Sequence, residues 1–396
     1  MGAPICVAVP APAGVNVGEE LRNGYKRDLS PRLVYKFRAL TYHAPPAAGS
    51  LDGYLSRLRL DEVGKLAREL SAKREVWSVR AVSPPVEDAA GALGVKPAKY
   101  VEGFYEAAVK VANYVAFPLR RLEPGELVEM MRSFERAYFS VEYAEGEEEG
   151  IVEALRRIPE EAGWVAGSRF AVAFGGRPIT PYFPVTTSEV EGLTASLLYP
   201  THVAELVEGG EPLPDALRAT ALEAYRLVYG AIDRAGASLP LIGLDLSLSP
   251  WGSDSVALLL EKLLGLPLFS PGTLSVLKAV NGALSLLASS LGAVGFNEVM
   301  LPLAEDDRLK ELAAVGQLRF RDLLAATPAC VAGLDMVPLP STTETRVLKW
   351  VMRDLDAASK LKRKPLGMRV LLVGAAPGEE VELGMFGSVP VLDPLA

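Results

Sequence analysis

Four stretches between Leu241 and Glu344 hold most of the residues suited to chemistry: IGLDLSLSPWGSDSVA (242–257), SPGTLSVLKAVNGAL (270–284), VMLPLAEDD (299–307) and TPACVAGLDMVPLPSTTE (327–344). Each apolar run ends in small, hydroxylated or acidic residues, as expected where several element ends converge on one pocket. Cys330 is a nucleophile or redox thiol if an electropositive, partly exposed setting lowers its pKa. A free cysteine is more often a small buried hydrophobe. A Cys–His dyad would have to recruit His43 or His202, the only histidines, from distant sequence. Asp245 and Asp335 share the tripeptide Gly-Leu-Asp, and each interrupts an apolar strand. A charge there is costly to bury unless it is paired, hydrogen-bonded or at the strand end. Two such carboxylates facing one cavity can act as acid and base or hold a cation. The other reading has each capping a loop or pairing with an arginine such as Arg346.

The remaining candidates divide between ligand contacts and helix starts. Asp254 sits where a helix begins, and Ser253 or Asp254 as its N-cap is the first reading. Thr273 follows Pro271 and Gly272 at the opening of another helix, whose free N–H groups suit an anion. That segment lacks the lysine and glycine spacing of a phosphate-binding loop. Glu305, in the Glu-Asp-Asp run after VMLPL, is a ligand contact at a strand end or the start of a helix. Ser247 follows Asp245 by two residues, and Arg177 lies in the Pro/Gly-rich GGRPITPYFP (175–184).

These residues need a scaffold, and the 396-residue chain is long enough for a large core. It is 49% hydrophobic and 23% charged, a globular balance. A net charge of −8 argues against a nucleic-acid surface, which needs a basic face. The basic cluster KLKRK (360–364) reads as the end of a helix. Two widely separated cysteines indicate a reducing compartment, and the histidine count excludes a Cys/His zinc motif. The N-terminus lacks a signal-peptide pattern, and the runs LIGLDLSL and ALLLEKLLGLPLF are broken by charge, so a cytoplasmic protein with no membrane span is expected. One Gln and five Asn fit a thermophile.

Strands are predicted at VYKFRAL (34–40), EVWSVRAV (75–82), RFAVAF (169–174), LIGLDLSL (241–248), EVMLPL (298–303), VAGLDMVPL (331–339) and MRVLLVG (368–374). Helices are predicted at 51–73, 98–117, 187–207, 214–236, 253–265, 272–292 and 341–362. This alternation gives an α/β fold whose apolar strands are covered on both faces. A single large domain (1–396) is expected, with an N-terminal half at 1–185 and the motifs in 186–396. The Gly/Ala-rich NGALSLLASSLGAVG packs within the fold or against a second copy of the chain.

With these residues in view, the C-terminal half resembles the domain of unknown function 711, or uncharacterised protein family 0210. The matching stretches are LDLSLSPWGSDSVA, PGTLSVLKAV, VMLPLAEDDRLKE, CVAGLDMVPLPSTT and PGEEVELGMFGSVPVL, with looser matches at EVWSVRAVSPP and GRPITPYFP. The resemblance implies an α/β barrel of two half-barrels ringed by helices, like that of pyruvate formate-lyase and other glycyl-radical enzymes. The tail ELGMFGSVPVLDPLA lacks the radical-bearing Arg-Val-x-Gly-Tyr type of segment, so the radical chemistry is not implied. The family brings no established activity or cofactor. Its members' gene neighbourhoods point to small ACT-domain proteins as partners. The resulting expectation is a cytoplasmic enzyme acting on a small polar or anionic metabolite in the barrel. Cys330, Asp335 and Asp245 form its polar centre, with Ser247, Asp254, Thr273, Glu305 and Arg177 around them. The rival is a non-catalytic metabolite sensor working with an ACT-domain partner.

Overall fold

Nine strands join edge to edge in the computed structural model, which describes residues 35–329 and 333–396. They are β1 (Lys36–His43), β2 (Val79–Val82), β3 (Tyr114–Leu119), β4 (Ala137–Glu142), β5 (Phe170–Phe174), β6 (Gly192–Leu198), β7 (Leu241–Asp245), β8 (Leu334–Pro340) and β9 (Leu366–Val373). Their order across the sheet is β7-β6-β1-β2-β3-β4-β5-β9-β8. Strands β1 to β5 run parallel. At one side β6 and β7 form a parallel pair antiparallel to β1. At the other, β9 and β8 form a parallel pair antiparallel to β5. The fold is therefore α/β, with a large and mostly parallel central sheet.

Helices cover one face because their apolar stripes have nowhere else to go. The helix Leu60–Ser71, for example, buries Leu60, Val63, Leu66, Ala67 and Leu70. A large hydrophobic cluster joins such stripes to outward-facing strand residues, including Phe37, Phe117, Phe139 and Phe174. A second, smaller cluster lies apart from it: Ala171, Ala173, Tyr182, Val185, Phe296 and Met300. It covers the other face of β5 with two chain segments, around 180–187 and 295–302.

Three strand pairings are irregular: β7 has Ile242 over against β6, and the other two lie in β1 and β8. In β1, Phe37 faces Leu197 and Ala39 faces Ser196, so Arg38 is an extra residue with no partner on β6. In β8, Asp335 faces Arg369 and Val337 faces Val370, which leaves Met336 over, at φ 54°. A bulge of this kind re-aims neighbouring side chains.

The α/β class agrees with the sequence, but several boundaries do not. The predicted helix 98–117 ends at Ala108, and Tyr114–Leu119 is the parallel strand β3. The predicted helix 187–207 holds β6 followed by the helix Pro200–Glu208. Strand β4 lies where no element is expected. Buried parallel strands are uninterrupted apolar runs, which lack the alternation that marks a half-buried strand. The helix predicted at 51–73 is broken between Arg57 and Leu60. The predicted strand 298–303 is reduced to one parallel bridge, Leu248–Val299. Helix Thr273–Leu291 is long and apolar enough by length and composition to cross a membrane, contrary to the expectation that no run is. One stripe of it, Leu277, Val280, Leu284, Leu287 and Leu291, is buried in the fold.

Candidate functional site

The strand register carries a set of polar and aromatic side chains across one face of the sheet. Arg80 on β2 is level with Tyr114 on β3, and Tyr138 on β4 with Ala116 beside it. On the far side Asp335 of β8 is directly opposite Arg369 of β9. Apart from Ala116, these residues line one cavity, which is partly open to solvent. Arg38, Glu305, Trp77, Trp251 and Tyr182 complete its polar and aromatic wall, and Phe183, Phe296, Met300 and Met385 its apolar one.

One half of the cavity is an ion-pair network. Arg369 forms a two-pronged pair with Asp335, Nε to Oδ1 at 2.6 Å and Nη2 to Oδ2 at 2.9 Å. The same Nη2 donates to Glu305 Oε1 at 2.8 Å. Arg38 Nη2 donates to the other oxygen of Glu305 at 2.5 Å, while its Nη1 donates to the Pro250 carbonyl at 2.6 Å. The rings of Trp77, Trp251 and Tyr182 surround the Arg38 guanidinium, their centroids 5.4, 5.8 and 6.0 Å away. Such contacts strengthen where water is excluded.

The two carboxylates of this network are pushed in opposite directions. Burial raises Asp335, Arg369 pulls it back only in part, and the Glu305 charge adds to the rise, so it sits above the ordinary aspartate value. Burial also opposes ionisation of Glu305, but Arg369 and Arg38 together outweigh it and hold it below the ordinary glutamate value. Neighbouring carboxylates whose affinities for a proton are driven apart are what acid–base chemistry requires.

The other half of the cavity contains a cation that no carboxylate of the described residues is bonded to, although the charge of Glu305 is near enough to favour it. Arg80 is buried, and among the described residues it forms no ion pair. Its Nε donates to Ser78 Oγ at 3.0 Å and its Nη1 to the Pro181 carbonyl at 2.9 Å. Phe183 and Tyr114 flank its guanidinium, with ring centroids at 5.2 and 6.0 Å. Burial and the nearby Arg38 charge bring its pKa down to about 10, so it remains protonated at neutral pH.

The residues singled out in the sequence divide sharply. Asp335 and Glu305 are brought together through Arg369 and line the cavity. Asp245 is fully buried and does not line it. Its carboxylate accepts five hydrogen bonds: from Thr180 Oγ1 (2.7 Å), Ser247 Oγ (2.6 Å), Ser247 N (3.0 Å), Phe296 N (2.9 Å) and Asn297 N (3.1 Å). Burial still raises its pKa despite those donors. A side chain at Gly295, where φ is 83°, would drive its Cβ into Asp245 Oδ2, so the loop fits this carboxylate only with glycine there. Asp245 and Ser247 thus fasten the segments that carry Thr180, Tyr182 and Phe296.

The others lie elsewhere. Asp254 accepts from Thr201 N at 2.7 Å and caps the first turn of helix Pro200–Glu208. Thr273 Oγ1 donates to the Ser270 carbonyl at 2.8 Å, opening its helix. Arg177 binds the Leu119 and Ser140 carbonyls and Glu142 at the ends of β3 and β4. Cys330 lies outside the described residues. Among those residues no group of three or more His, Cys, Asp or Glu side chains is placed to hold a metal.

Arg38, Arg80 and Arg369 were not among the candidates. Each interrupts an apolar strand, in VYKFRAL, VWSVRAV and MRVLLVG, as Asp245 and Asp335 do. A buried charge inside a strand requires a partner whatever its sign. Applied to basic as well as acidic residues, that signal finds all three.

Comparison with known proteins gives the chain its relatives. A family model described as Uncharacterised ACR (DUF711) matches residues 147–384. A UPF0210 protein of Pyrobaculum arsenaticum is 30% identical over 255 residues, covering 58% of this chain and 55% of that protein. One from Lacticaseibacillus casei is 32% identical over 168 residues, covering 41% of this chain and 36% of its own length. A third, from Methanosarcina acetivorans, is 30% identical over 165 residues, 40% of this chain and 35% of that protein. The matches therefore span from about a third to just over half of these relatives.

Proposed function

The chain belongs to the DUF711 family, and from that premise we propose that it binds and transforms a small anionic metabolite in the cavity between Arg80 and Asp335. The observation that carries this reading is Arg80, a buried guanidinium at the cavity wall with no carboxylate partner among the described residues. Burying an uncompensated cation is costly, and an anionic ligand removes that cost. In the reaction Asp335, whose affinity for a proton burial raises, is the group that takes it, while Glu305 stays ionised between Arg38 and Arg369. Arg369 touches both carboxylates and fixes their separation.

The finer fold belongs to the same proposal: two half-barrels, one of β1–β5 and one of β6, β7, β8 and β9, enclosing the site. The parallel bridge Leu248–Val299 extends the β7 edge towards β8, and the smaller apolar cluster fills the inner face. The cavity also meets β2 to β5 at their first or second residues, whereas open α/β sheets bind ligands beyond the carboxyl ends of their strands.

A second reading, a non-catalytic metabolite sensor, is favoured by one feature. Both carboxylates are already engaged by arginines, which leaves neither free as a base. A thermal-shift screen of small carboxylates and phosphates, followed by mass spectrometry of each stabilising compound, separates the two. The enzyme reading predicts a product that disappears in Glu305→Gln and Asp335→Asn. Stabilisation without product supports the sensor, and stabilisation by no anion rejects both.

A further inference from the structure

We propose that the ligand of this cavity is an aromatic monocarboxylate, its carboxylate on Arg80 and its ring against the aromatic wall. This rests on the anion-binding reading above and narrows it to a chemical class.

The argument starts from charge. The cavity contains three guanidiniums (Arg38, Arg80 and Arg369) and two carboxylates (Glu305 and Asp335), a net charge of +1. Four of these five groups satisfy one another through Glu305, leaving the excess on Arg80. A monoanion cancels that excess. A dianion leaves a buried negative charge in its place, and a zwitterion brings its own cation to a cavity that already has one too many. In a partly desolvated site each such mismatch costs heavily.

The shape of the Arg80 surroundings supplies the rest. Tyr114, Tyr138 and Phe183 form a continuous aromatic wall: Tyr138 is 5.5 Å from Tyr114 and 5.7 Å from Phe183, ring to ring, and both contacts are edge-on. Trp77 and Trp251, 4.5 Å apart, add a second pair of rings to the lining. Rings arranged this way reward a planar unsaturated body by offset and edge contacts, about 0.5–1.5 kcal/mol per pair beyond area burial. An aliphatic chain of equal size gains only the area. With Nε on Ser78 and Nη1 on the Pro181 carbonyl, Arg80 Nη2 is the guanidinium nitrogen with no bond among the described residues. It can donate a charge-assisted hydrogen bond to a ligand carboxylate.

Calorimetric titration of the full chain with hydrocinnamate as probe tests this, against hexanoate, phenylalanine, benzylmalonate and the neutral hydrocinnamide. Expected is one-site binding of hydrocinnamate at least about tenfold tighter than any of the four, about 1.4 kcal/mol. Arg80→Met is expected to weaken hydrocinnamate by about tenfold or more while leaving hydrocinnamide unchanged, with Arg80→Lys between. The comparison among ligands needs only the unaltered protein, so it stands even if a variant misfolds. Hexanoate binding as tightly as hydrocinnamate overturns the aromatic assignment, and benzylmalonate or phenylalanine binding more tightly overturns the monoanion assignment. Both results leave the anion-binding reading intact. Binding by none of the five, with phosphates also silent, overturns that reading as well.

Discussion

Asp245 and Asp335 share the tripeptide Gly-Leu-Asp near the ends of two buried strands, yet their surroundings are opposite in kind. Asp245 is wrapped by hydroxyl and backbone N–H donors, has no cation against it among the described residues and does not line the cavity. Asp335 meets a guanidinium across the strand pair and faces open space. A carboxylate satisfied by neutral dipoles from several loops acts as a fastener. One that shares an arginine with a second carboxylate, beside an unpaired cation, is poised for a ligand. The pairing partner, and not the local sequence, separates the two roles.

Several measurements can break or sharpen this contrast. The largest effect is expected on the Asp335 side, from its cation. Arg369→Met leaves two buried carboxylates with only Arg38 between them and should cost about 3–5 kcal/mol in urea unfolding, as breaking buried ion pairs does. The double change Arg369→Met with Asp335→Leu should recover part of that loss, and a single-variant cost below about 1 kcal/mol would dissolve the network. Next, Asp245→Ala orphans several buried donors and should cost about 3 kcal/mol. Hydrogen exchange should accelerate first at the Phe296 and Asn297 amides, whose acceptor is lost. Uniform acceleration would contradict the fastener role.

The fastened side also contains His43, whose ring nitrogens meet the Thr187 carbonyl at 3.1 Å and Thr194 Oγ1 at 2.9 Å. Burial lowers its pKa from 6.5 to about 4, so the folded state binds its proton less readily than the unfolded chain. Its contribution is complete above pH 6.5 and is lost as the pH falls towards 4, on the order of 3 kcal/mol. Unfolding free energies of His43→Gln should be flatter over that interval than those of the unaltered chain. The smallest stability effect belongs to Asp335→Asn. Burial already disfavours its charge, so neutralising it should change stability by less than about 1 kcal/mol, and on the proposed enzymatic reading it should abolish turnover. A large loss of stability there would make Asp335 a second fastener.

Much of this arrangement was legible in the sequence, and the gaps have physical causes. The α/β alternation and most C-terminal elements follow from periodicity, and Asp335 stands out as a charge inside an apolar run. Glu305 was visible as well, but the acidic run it begins looks like a helix start. Asp306 does cap the helix Asp307–Ala314, one residue after a glutamate turned into the cavity. Strand β3 was hidden because YVAFPL is uniformly apolar and adjoins a helix. The bulge that leaves Arg38 unpaired on β1 depends on register with β6, some 160 residues away in sequence, and nothing local signals it.

The most direct test of the central claim, that the Arg80–Asp335 cavity is where the protein takes its ligand, is to locate a heavy-atom analogue there. Crystals grown with para-bromohydrocinnamate should give one bromine anomalous peak inside the cavity ringed by Trp77, Tyr114 and Phe183. The carboxylate density should lie within hydrogen-bond reach of Arg80. A bromine peak elsewhere on the chain, or a carboxylate turned away from Arg80, would contradict the account.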